Sequence, residues 1–80
     1  MANTNKKDWK ISKADRKQII EQRMTNIARE AYSQELNLIM YKSYKEQAQV
    51  VAATQANVDK QKLAYAALET ELAAVEALKE

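Results

Sequence analysis

Neither glycine nor proline occurs in these 80 residues, where average usage would supply about ten. Glycine gives a backbone access to positive φ, and proline forbids a helical N–H, so together they punctuate turns. A chain without them has few means of making hairpins or bulges, which points to helix from near one end to the other. Cysteine and histidine are absent too, which excludes disulfides and the usual zinc ligands. Acid–base chemistry would then fall to carboxylates or lysines held in a pocket, and slender helices offer little concave volume for one. There is no glycine-rich phosphate loop and no acidic cluster at calcium-loop spacing. Glu69, Glu71 and Glu76 fall at scattered helical angles. The sequence therefore predicts no enzyme, no metal site and no cofactor. It has no apolar run long enough to cross a bilayer and no apolar signal-peptide core near Met1. The expected location is soluble, either intracellular or inside an assembly such as a virion, without signal-peptide secretion.

What is present is 46% apolar, but 14 of those residues are alanine and only 15 are leucine, isoleucine or valine. Chains of about 70–80 residues rarely bury enough core to stand comfortably without staples or association. A protein partner or a homo-oligomer is therefore expected. Charged residues make up 30% of the chain with a net charge of only +2, which suits solvated helix faces better than the high net charge of disordered segments.

Residues 1–11 are polar and basic and read as an arm; residues 12–80 read as the helical domain. Ser12-Lys13-Ala14-Asp15 matches a helix-capping pattern, with the serine oxygen free to accept from an early N–H. Beyond it, Ile20, Met24, Ile27, Ala31, Leu38 and Tyr41 alternate spacings of four and three, with Gln34 in the one vacant slot. This is a heptad seam facing a partner helix. The later seam runs through Tyr44, Val51, Val58, Tyr65 and Leu72, interleaved with Gln47, Thr54, Gln61, Leu68 and Val75. Polar residues within such a seam weaken it but can fix its register.

The two seams are one residue out of register, and Ser43-Tyr44-Lys45-Glu46 stands at the slip as a second capping box. The sequence thus predicts an all-α fold, an antiparallel helical hairpin or coiled coil with its hinge near 42–45. Charge agrees: residues 1–30 hold eight basic and four acidic side chains, and residues 63–80 hold one lysine and four glutamates. An antiparallel hairpin sets the basic start beside the acidic end. Two alternatives stand beside it. One is a hinge near 57–59 at Asn57-Val58-Asp59; the other is a single long helix in a multi-chain bundle. No glycine or asparagine lies at 41–45 to end a helix in the left-handed conformation usual there.

Three surfaces are candidates for function. Tyr32, Leu36 and Ile39 lie more than a quarter turn from the seam, and with Met40, Tyr41 and Tyr44 they form a candidate protein interface. Helices apolar on more than one face usually have more than one neighbour. Trp9 and Ile11 in the arm carry apolar bulk that either folds over the bundle end or enters a groove on a neighbouring subunit. Lys6, Lys7, Lys10, Lys13, Arg16 and Lys17 are candidate phosphate contacts, although Asp8 and Asp15 are interspersed and no nucleic-acid-binding signature is present. A stripe of Ala52, Ala56, Leu63, Ala67, Ala74 and Leu78 would allow close helix approach.

No motif is specific to a named family. The leading functional expectation is a non-catalytic helical interaction or assembly protein, a small structural or accessory subunit that docks onto a larger, possibly virion-type, complex. The alternatives are a small helical inhibitor or regulator that blocks a protein target, and nucleic-acid binding through the basic arm.

Overall fold

The computed structural model describes residues 10–79, which form two helices and no strand. Helix α1 spans Lys13–Ser43 and helix α2 spans Ala48–Glu76. The two lie against each other as an antiparallel hairpin, measuring 54 × 20 × 17 Å. Its radius of gyration is 17.2 Å, against roughly 11 Å for a compact domain of this length. The described residues form a rod two helices thick, with their buried side chains along the shared seam.

Helix α1 starts where its capping chemistry requires. Ser12 is extended, and its Oγ accepts from the Asp15 N–H at 3.1 Å. Asp15 adds negative charge to the first turn, where the helix dipole favours it. Arg16 Nε donates back to the Ile11 carbonyl at 3.1 Å, fixing the entry of the chain.

The seam closes on five buried side chains: Ile20, Met24, Leu38, Val58 and Val75, with Val58 and Val75 almost wholly enclosed. Ile20, Met24 and Val75 form one cluster, and Tyr65, Leu68 and Leu72 pack against it. Ile27, Ala31, Gln34, Tyr41, Val51, Thr54 and Gln61 are half-buried along the same line. The polar members are accommodated in different ways. Thr54 Oγ1 donates to the Val50 carbonyl at 2.9 Å within its own helix, and Gln34 Nε2 donates to Glu30 Oε2 at 3.1 Å. Gln61 Oε1 is buried with no hydrogen-bond partner among the described residues.

An ion pair and a long-range hydrogen bond tie the open end. Lys13 Nζ donates to the Leu78 carbonyl at 2.8 Å, and Lys17 pairs with Glu76 at 3.3 Å. Lys13 sits at the positive end of its own helix, where a cation is unfavourable, yet beside the negative end of α2, where it is favourable. Midway along the rod, Lys62 pairs with Glu35 at 3.3 Å.

The turn follows a different plan from the expected capping box. Ser43 is the last residue of α1 and does not cap α2; its Oγ donates to the Met40 carbonyl at 2.7 Å. Helix α1 ends instead in a left-handed closure at Lys45, φ 57°. The Glu46 N–H donates to the Tyr41 carbonyl at 2.8 Å and the Lys45 N–H to that of Lys42 at 3.4 Å. This is the two-bond ending in which glycine is the usual left-handed residue, built here on a lysine. The Glu46 carboxylate accepts from the Gln47 N–H at 3.2 Å rather than reaching back to Ser43. Gln47 opens α2 without a side-chain cap. The other two architectures are overturned in the same region: the chain reverses at Tyr44–Gln47 rather than continuing as one helix. Asn57-Val58-Asp59 lies well inside α2, with Val58 at 0% exposure.

Candidate interaction surface

The seam repeats along α1 every three and four residues, and a second series with the same spacing runs along its outer side. Tyr32, Leu36 and Ile39 fall on that second series because 100° per residue carries them more than a quarter turn from Leu38. Among the described residues, no helix faces them. Tyr32 is 62% exposed, Leu36 41%, Ile39 65% and the adjoining Met40 52%. Leu38, by contrast, is 6% exposed, so two consecutive residues of similar chemistry point to opposite environments.

Tyr44 extends this patch into the turn. It is 57% exposed and caps the C-terminus of α1, so it stands outside the seam that its spacing suggested. Its ring meets that of Tyr41 edge-on, with centroids 6.2 Å apart and planes at 70°, a favoured aromatic geometry. Tyr41 itself is half-buried and belongs to the inner side, supporting the patch without forming its outer surface. Partial loss of hydration, then the Glu46 carboxylate and then Tyr41, push the Tyr44 hydroxyl above the usual tyrosine pKa.

The structure separates the remaining candidate residues from this patch. Ile11 is half-buried at the open end. Trp9, Lys6 and Lys7 lie outside the described residues. Among the basic group, Lys10 is exposed, whereas Lys13, Arg16 and Lys17 hold Leu78, Ile11 and Glu76 respectively. Two cations that could have met phosphates, Lys13 and Lys17, are thus engaged in closing the hairpin, and a third, Arg16, holds the chain at the entry to α1. The outer side of α2 is exposed at Ala52, Ala56, Ala67 and Ala74, with Leu63 at 72% its one strongly protruding large side chain.

Shallow grooves among the described residues flank the seam. One, of about 320 Å³, is lined by Ile27, Ala28, Ala31, Tyr65 and Ala66, with Gln61 also on its wall. Another, of about 440 Å³, lies between Arg23, Asn26 and Ile27 on α1 and Ala64, Ala67 and Leu68 on α2. Alanines create both hollows, because a methyl group cannot fill the space beside the helix contact. Among the described residues, no three of histidine, cysteine, aspartate and glutamate gather to hold a metal ion. No helix among them is long and apolar enough to cross a membrane.

Sequence reasoning passed over several of these features. Ile19, 46% exposed, borders the seam without belonging to it. The left-handed Lys45 carries no local signal, since lysine has no preference for that conformation. The Lys13–Leu78 bond joins residues 65 apart in sequence and follows only from the pairing of the helices. No protein-family model matches the chain, and no curated protein or solved structure is significantly similar to it.

Proposed function

We propose that this chain is a non-catalytic helical interaction module, a small structural or accessory subunit that docks onto a larger assembly. The observation that carries this reading is the exposed apolar series Tyr32, Leu36, Ile39 and Met40, continued by Tyr44, on the outer side of a hairpin whose seam is already closed. The largest apolar patch on a monomeric protein is often functional. The patch contains the residue types that anchor interfaces, with tyrosine at both ends and an adaptable methionine between. Engagement of Lys13, Arg16 and Lys17 within the hairpin favours a protein partner over a phosphate backbone.

A photo-crosslinking amino acid placed singly at Ile39, or at Gln49 on α2 as a control, tests this in extracts of cells that make the protein. The expected result is an adduct of discrete mass from position 39 and none from position 49. Equal or absent labelling at both positions contradicts the reading.

A further inference from the structure

The outer face of α1 around the turn carries two properties that together specify its occupant. The first is area. Taking about 200 Å² for a tyrosine side chain and somewhat less for each aliphatic one, the exposed fractions of Tyr32, Leu36, Ile39, Met40 and Tyr44 leave roughly 500 Å² of this patch facing water. Two such patches laid together cover about 1,000 Å², and the neighbouring Ser33 and Ser43 bring the total close to the roughly 1,200 Å² where stable interfaces begin. The second property is charge. From Tyr32 to Ser43 the outer series contains no ionisable group other than tyrosine. The charges lie at its borders: Glu35 is paired with Lys62 of α2, Glu46 stands beside Tyr44 at the turn, and the exposed Lys42 falls about 60° round the helix from Ile39.

A surface that meets its own copy across a two-fold axis brings each residue near its equivalent, so a charge at the centre would face a like charge. A neutral centre satisfies that requirement, whereas a foreign partner imposes no such condition. We infer that the occupant of this face is a second copy of the chain, with the outer sides of the two α1 helices packed about a two-fold axis near Leu36 and Ile39. This rests on the interaction reading above and names its partner. The outer side of α2 is a poorer surface for the purpose, because between Ala52 and Ala74 its stripe offers Leu63 among alanines, and the next exposed leucine, Leu78, lies beyond the helix end.

Sedimentation equilibrium of the full chain, from about 1 µM to about 1 mM, reads the outcome directly. The expected result is a rise from the 9.1 kDa monomer to twice that mass. Leu36→Glu and Ile39→Glu should each weaken self-association at least about tenfold, with helicity unchanged by circular dichroism. Leu63→Glu should leave it unaltered. A monomer at every concentration overturns the proposal. So does a dimer that ignores both α1 variants or is lost through Leu63→Glu. A monomer that still forms the position-39 adduct with another protein removes only the second copy as occupant. A monomer with no such adduct removes the interaction reading as well.

Discussion

The open half of the hairpin and the turn half use apolar residues differently. Toward the open end, Ile20, Met24 and Val75 form a cluster with Tyr65, Leu68 and Leu72 around it, and Lys13 and Lys17 tie the helix ends together. Toward the turn, Leu38 and Val58 are buried outside that cluster, and a second apolar series points away from the seam. The open half directs its large side chains mostly inward. The turn half carries more of them than one helix contact can cover. The lesson is that a two-helix rod can be complete in its own pairing and still present unfinished apolar surface on one side.

The sharpest way to break this comparison is to place the same charge on neighbouring residues. Leu38→Glu sets an unpaired carboxylate in the seam and should cost about 3–5 kcal/mol, comparable with the whole stability of so small a domain. Ile39→Glu should change the melting temperature of the dilute monomer little, since surface substitutions usually stay within about 0.5 kcal/mol. Thermal circular dichroism compares the two, and equal losses would show that the faces are wrongly divided.

A smaller effect is expected at the turn. A β-carbon in the left-handed region costs roughly 1–2 kcal/mol, so Lys45→Gly should stabilise the hairpin by about 1 kcal/mol, after allowing for glycine's larger unfolded-state entropy. Lys45→Ala, which retains the β-carbon, should give no such gain. Denaturant unfolding distinguishes them. At the open end, a double-mutant cycle with Lys17→Ala and Glu76→Ala should find a coupling below about 1 kcal/mol that fades in high salt, because both side chains are about half exposed.

The smallest effect concerns pH. The folded Tyr44 hydroxyl titrates above its unfolded value, chiefly through partial loss of hydration despite a ring 57% exposed. Its contribution is therefore fully present below pH 10.0, the ordinary tyrosine value, and is lost as pH rises through the folded pKa. Tyr44→Phe should remove this alkaline loss, as measured by unfolding across that range.

Much of the fold could be read from spacing alone. The alternation from Ile20 to Tyr41 fixes one face of α1, and the series through Val58, Tyr65 and Val75 fixes one face of α2, because burial repeats with the helix. The Ser12–Asp15 pattern was legible for the same local reason. The Ser43–Glu46 pattern misled because serine followed by glutamate three residues later also suits a helix end. There, backbone bonds to Tyr41 and Lys42 took the place of a side-chain cap. The outer series at Tyr32, Leu36 and Ile39 was visible as a second periodicity. Its exposure was not, since spacing alone does not show whether a second neighbour covers it.

The most direct test of the hairpin uses its own ion pairs. Carbodiimide coupling of a mixture of unlabelled and nitrogen-15-labelled chains would join Lys17 to Glu76 and Lys62 to Glu35, which stand 3.3 Å apart in each case. If each chain closes on itself, mass spectrometry will find both crosslinked peptides with the two halves always of one isotope. Crosslinked peptides mixing the isotopes would show that the helices pair between chains, and would contradict the self-closed hairpin.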